Sequence, residues 1–165
     1  LELPVVDAPA DALERDFAPF RRLADAPMAM TAHISYTALD AQRCATLSPT
    51  IIAIIRRDIG FGGLLMSDDL GMQALGNPAS AGHLPGSNAL HSMTARALAC
   101  LEAGCDIALH CSGAMAEMEP FDQLPPISAA ARARLDAAMA WAQAPADARP
   151  AAEWAATRDA LLAIG

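Results

Sequence analysis

Apolar and polar residues alternate with two different periods along this chain. Met28 to Ile34 (M-A-M-T-A-H-I) runs with period two, placing Met28, Met30, Ala32 and Ile34 on one face and Ala29, Thr31 and His33 on the other. Gly63 to Asp69 (G-L-L-M-S-D-D) reads as a buried strand ending in polar residues, and Asp106 to Cys111 (D-I-A-L-H-C) as a third strand. Between the first two strands the period becomes helical: Ile51, Ile52, Ile54, Ile55 and Ile59 share one face. Ser48 is placed to cap that helix, Pro49 suits its first position and Gly60 its end. A second helix is predicted over about Ala89–Ala103, with Leu90, Met93, Ala97 and Leu101 inward and Gly104 as its stop.

The remaining segments are less regular. Ala10–Asp25 has helical composition but contains Pro19, which predicts two short helical pieces. Gly76–Asn88 is rich in Gly, Pro, Ser and Asn and has the composition of a loop near a site. Beyond Pro126 the chain is alanine-rich and helical, split at Pro145 and Pro150, with Trp141, Trp154 and Leu161 as the expected docking residues.

Strands alternating with helices predict an α/β fold with a parallel sheet. A closed (β/α)8 barrel typically needs ~250 residues and eight strands. The expected fold is therefore the C-terminal part of such a barrel, about three parallel strands with helices, its N-terminal strands missing; a small open sheet is the alternative. Residues 1–143 would form the partial barrel and 144–165 a helical tail. A chain of 165 residues that starts at Leu1 is read most simply as cut from something longer.

Composition narrows the chemistry. With 54% apolar residues the chain builds a core, and its formal charge of −8 makes nucleic acid and membrane surfaces poor partners. All 11 basic residues are arginines, so Schiff-base chemistry, which needs a lysine amine, is excluded within these residues. Cys44, Cys100, Cys105 and Cys111 lack C-x-x-C spacing and read as free thiols of a reducing compartment. A metal site on Cys105, His110 and Cys111 is disfavoured, because the last two alternate to opposite faces of a strand. No metal or organic cofactor is expected, and no apolar run reaches the ~18 residues of a membrane span.

The strand Gly63–Asp69 carries the candidate chemistry. In a barrel, catalytic side chains sit where strands end. Alternation groups Asp68 with Leu64 and Met66, and Asp69 with Ser67 and Leu65, so the two carboxylates turn opposite ways. An ionised aspartate at a barrel mouth is able to attack an anomeric carbon. By itself, S-D-D is also an ordinary strand terminator.

The wider string I-I-R-R-D-I-G-F-G-G-L-L-M-S-D-D-L-G-M closely resembles the nucleophile signature of family 3 glycoside hydrolases. L-P-V-V-D, D-F-A-P-F-R-R-L, M-T-A-H-I-S-Y-T-A-L-D, A-T-L-S-P and A-G-C-D-I-A-L-H-C-S-G extend the resemblance over roughly residues 3–118, toward its bacterial cytoplasmic β-N-acetylglucosaminidases. The resemblance implies that Asp68 is the nucleophile of a retaining exo-glycosidase that removes terminal β-N-acetylglucosamine from peptidoglycan-derived muropeptides. Asp69 stands where the related β-glucosidases usually have tryptophan. His33 is a candidate substrate-binding residue, with a hydrogen-bonded core histidine as the alternative. His110 and Arg96 are not taken as site residues; Arg96 is expected in a structural ion pair. His83 and His91 are expected to be solvated.

Departures from the family pattern qualify this picture. The family's acid/base, a histidine paired with an aspartate, lies upstream of L-P-V-V-D, so the fragment is expected to be inactive or nearly so. Gly62 replaces an acidic residue common in the family's G-F-D-G turn. Two rival readings remain: an inactive half-barrel that binds a sugar or a protein, and a β-glucosidase of the same superfamily.

Overall fold

The computed structural model describes residues 3–72, 75, 92–144 and 150–163. The Gly76–Asn88 loop, His83, His91 and the break at Pro145 lie outside the described residues. The elements in order are β1 (Val5–Val6), α1 (Ala10–Arg21), β2 (Met28–Met30), β3 (Ser35–Tyr36), a 3-10 turn (Ala45–Leu47) and α2 (Pro49–Arg57). There follow β4 (Leu64–Met66), α3 (Met93–Ala103), α4 (Met115–Met118), a second 3-10 turn (Glu119–Gln123), α5 (Ala129–Gln143) and α6 (Ala151–Leu162).

All strand pairing among the described residues is parallel. β1 pairs with β3, matching Val5 to Ser35, and β2 pairs with β4, matching Met28 to Leu64 and Met30 to Met66. Ile107 bridges Met66 in the same sense on the other side of β4. The molecule is thus mixed α/β with small parallel sheets, β4 being the central strand. β1 adds a strand that the hydrophobic pattern did not reveal.

The expected third strand over Asp106–Cys111 reduces to that one bridge, and side chains explain why. The Oδ2 of Asp106 accepts the Leu65 N–H at 2.9 Å, and the Ser67 Oγ accepts the Leu109 N–H at 2.9 Å. Two positions of the ladder are thereby taken by side-chain acceptors, while the Ser67 and Leu70 amides still reach the carbonyls of Ile107 and Leu109. The first predicted strand, Met28–Ile34, is likewise shorter, ending as β2 at Met30; β3 begins just beyond it at Ser35 and pairs with β1.

The helices follow their sequence signals, with one correction. The Ser48 hydroxyl accepts the Ile51 N–H, Pro49 occupies the first turn, and the helix ends at Arg57, before the left-handed Gly60. Ser92 caps α3 in the same way, and Gly104, at φ 113°, closes it. Pro19, however, does not split α1, which is one 12-residue helix. Pro19 and Arg15, whose carbonyl loses its amide partner, are both exposed residues.

The core lies between β4 and the helices α2 and α3, where Leu65 packs with Ile52, Phe61, Leu70, Ala97 and Cys100. Leu64, on the opposite face of β4, is only 1% exposed. Helix α5 lies against β4 and buries Ala131 and Ala138. Trp141 was expected to dock this tail, but it is 66% exposed; Trp154 and Leu161 are exposed as well. Alanines allow a close approach of backbone to strand that an indole would block.

Buried charge ties these layers together. The Asp106 carboxylate, 5% exposed, receives Arg56 of α2 at 2.6 Å and Arg134 of α5 at 2.7 Å. Gly63 permits the tight start of β4: a Cβ there would stand 2.4 Å from the Ala26 carbonyl oxygen. Among the described residues no helix is long and apolar enough to cross a membrane.

Candidate active site

At the end of β4, the chain turns through Ser67, Asp68 and Asp69. Ser67 is fully buried and, through the Leu109 N–H, ties the strand end to the segment after α3. Asp68 is half-buried, and its Oδ1 accepts the N–H of Asp69 at 2.8 Å. That bond fixes the carboxylate plane relative to the backbone.

Asp69 turns away into the loops. Its Oδ1 accepts the N–H groups of Gly71 at 2.9 Å and Cys111 at 3.1 Å. The two neighbouring carboxylates therefore have different settings. Asp69 closes a turn and joins two loops, whereas the described partner of Asp68 is the amide next to it.

His33 is 4% exposed and spends both ring nitrogens inside the protein. Nε2 lies 2.9 Å from the Asp69 carbonyl, which can only accept, so Nε2 carries a proton. In the neutral ring, Nδ1 then accepts from the Thr46 hydroxyl at 2.8 Å. Thr46 in turn accepts from the Thr31 hydroxyl at 2.9 Å, with the Ala32 carbonyl a longer alternative at 3.2 Å for the Thr46 proton. This line of buried groups holds the backbone of the Asp68–Asp69 turn from beneath, and it leaves His33 no free ring nitrogen.

A second histidine reaches the same turn. The His110 side chain is 2% exposed, and its Nε2 lies 2.9 Å from the Glu117 Oε2 and 2.8 Å from the Ser112 Oγ. Ser112 donates to that carboxylate at 2.6 Å, and this bond, ahead of the one from His110, holds the Glu117 carboxyl below its ordinary range. The His110 Nδ1 is enclosed without a hydrogen-bond partner, 3.7 Å from the Asp69 Oδ1. The ring stands edge-on to Phe121 and against Gly71.

Sequence reasoning did not bring His110, Ser112 and Glu117 to the site. Their meeting depends on the turn between Ile107 and α4, and no spacing rule reports it. Arg96 is buried in α3, donates to the Leu70 carbonyl at 2.7 Å, and feels the charge of Glu117. Of the four cysteines, Cys44, Cys100 and Cys105 are buried and Cys111 is exposed, all as free thiols.

The cavity of about 350 Å³ beside α1 and α2 is a different place. Phe17, Phe20, Ile51, Ile54 and Ile55 line it, and no carboxylate does. Sugar recognition requires polar groups placed to meet hydroxyls, so the strand end, not this cavity, is the candidate site.

Comparison with known proteins identifies the family. Residues 1–141 match the family described as glycosyl hydrolase family 3 N terminal domain. A beta-hexosaminidase of Alkalilimnicola ehrlichii is 42% identical over 115 residues, which cover 68% of this chain and 30% of the relative. One from Bordetella pertussis is 35% identical over 126 residues, covering 74% and 32%. Among solved structures, NagZ from Neisseria gonorrhoeae in complex with N-trifluoroacetyl-D-glucosamine superposes with a TM-score of 0.64 at 34% identity, covering 84% of this chain and 38% of that one. The chain thus spans about a third of the length of these relatives. It belongs to glycosyl hydrolase family 3, and its curated relatives are beta-hexosaminidases.

Proposed function

We propose that this chain carries the nucleophile of a retaining β-N-acetylglucosaminidase, and that Asp68 is that nucleophile. The observation that carries the reading is the strand-end turn. Asp68 sits at the end of a central parallel strand, held by its neighbour's amide, while Asp69 is spent on Gly71 and Cys111. One carboxylate is thus structural and the other is left for chemistry.

The step follows from that geometry. A carboxylate oxygen of Asp68 attacks the anomeric carbon, the glycosidic C–O bond breaks, and its electron pair leaves with the aglycone oxygen. Water then attacks the same carbon, freeing the sugar and returning the carboxylate. The reading assigns His33 a positioning role under this turn in place of direct sugar contact. It assigns no proton donor to these residues, and general acid help is worth ~10²–10⁴-fold. Slow turnover of ordinary glycosides is therefore expected of the 165-residue chain.

The parallel strands are read as part of a (β/α)8 barrel extending to residue 143, with the helical tail beyond it. The substrate class is a terminal β-N-acetylglucosaminide, a cytoplasmic muropeptide being the physiological form. An activated leaving group bypasses the proton donor and tests this directly. The chain should release dinitrophenolate from 2,4-dinitrophenyl N-acetyl-β-glucosaminide and much less from the matching β-glucoside. Equal release from both would favour the β-glucosidase branch, and none from either would favour a binding module.

A further inference from the structure

The orphaned nitrogen of His110 has a place in the mechanism that the nucleophile assignment leaves open. We propose that His110 is a positioning residue for the reactive turn: it bridges Glu117 and Asp69, its Nδ1 side acting as an ion-pair partner of the Asp69 carboxylate. This inference rests on the reading of Asp68 as nucleophile.

Ser112 has one hydroxyl hydrogen, and its 2.6 Å contact with the Glu117 carboxylate places that hydrogen there. The Ser112 oxygen and the Glu117 oxygen are then both acceptors toward Nε2, at 2.8 and 2.9 Å, so Nε2 bears a hydrogen. Nδ1 is consequently either a bare lone pair enclosed near a carboxylate oxygen or a second N–H in ion-pair range of it. The bare form buries an unsatisfied polar atom and sets two electron-rich groups 3.7 Å apart. A proton on Nδ1 would replace that repulsion with an attraction, setting a cation 2.9 Å from the Glu117 carboxylate and 3.7 Å from that of Asp69. The charged groups around it are Asp69 from the turn after β4, Glu117 of α4 and, interacting with Glu117, Arg96 of α3.

The consequence passes through Asp69. That residue's carboxylate meets His110 and holds the Gly71 and Cys111 amides, its carbonyl takes the His33 proton, and its own N–H holds the Asp68 carboxylate. Releasing Asp69 on the His110 side frees the peptide unit that orients the nucleophile. The two histidines work on the same residue from different elements.

Two substitutions separate this role from simple packing. Asparagine keeps an N–H donor near the Nδ1 position and gives up the contact with Glu117; glutamine does the reverse. The measurement is the initial burst of dinitrophenolate from 2,4-dinitrophenyl N-acetyl-β-glucosaminide by the 165-residue chain and its variants. H110N should stay close to the wild-type burst rate. H110Q should fall about tenfold with KM little changed, less than the ~100-fold that a 1 Å displacement is able to cost. The reverse order, or a wild-type rate in a folded H110Q, would overturn the proposal.

A nitrogen-15 spectrum of the His110 ring gives a readout independent of turnover. Nδ1 should be protonated and its resonance should move in D69N, and E117Q, altered at an outer partner, should perturb Nε2 first. If the wild type gives no burst while the ring spectrum behaves in this way, the nucleophile reading fails and the bridge stands. A bare Nδ1 that ignores D69N overturns the bridge itself.

Discussion

The Nε2–H of His33 donates to the backbone carbonyl of Asp69 at 2.9 Å, joining residues 36 apart in sequence. This bond ties the end of the first predicted strand to the turn that ends β4. It makes Thr31, Thr46 and His33 a continuous buried support for the Asp68–Asp69 peptide.

Thr46 is the keystone of that support. Thr46→Val keeps its shape but removes the hydroxyl shared by His33 and Thr31. Leaving buried polar groups unpaired costs about 1–3 kcal/mol. Urea unfolding should show a loss of that size at an unchanged m-value, and Thr31→Val should cost less, since Thr46 retains His33.

Asp106 is the second structural centre. Its carboxylate takes Arg56, Arg134 and the Leu65 amide, so Asp106→Leu leaves two guanidinium groups facing an apolar site. Breaking a buried pair by removing one partner costs about 3–5 kcal/mol. Arg134 is a third exposed, so Arg134→Ala should cost clearly less in the same unfolding experiment.

Burial also pushes the Cys44 thiol up, from an ordinary value near 9 to about 11. The neutral thiol is thus the folded form. The stability linked to it is fully present below about pH 9. It is lost as pH rises from 9 toward 11, because only the unfolded chain gives up the proton across that window. Cys44→Ala should flatten this alkaline decline in unfolding free energy. In the native protein, a thiol reagent at pH 8 should label Cys111 rapidly and Cys44 only after unfolding.

Much of the frame was legible because local signals agreed. Ser48, Pro49 and the isoleucine face fixed α2, and Ser67-Asp68-Asp69 marked the end of β4. Alternation also separated Asp68 from Asp69, and the two carboxylates do have different partners. The misses come from surroundings that the local pattern does not report. Pro19 stays helical where both it and Arg15 are exposed. The strand over Asp106–Cys111 shortens because Asp106 and Ser67 side chains take ladder positions. On sequence alone His110 is considered and set aside, because its importance lies in meeting Gly71, Asp69 and Glu117, a convergence that no spacing along the chain encodes.

The most direct measurement is to react the chain with 2,4-dinitrophenyl N-acetyl-β-glucosaminide, quench in acid, and map any covalent sugar by peptide mass spectrometry. One N-acetylhexosaminyl unit should be found esterified to Asp68 and be absent from D68N. A sugar mapped to Asp69, or an adduct that survives in D68N, would contradict the nucleophile assignment.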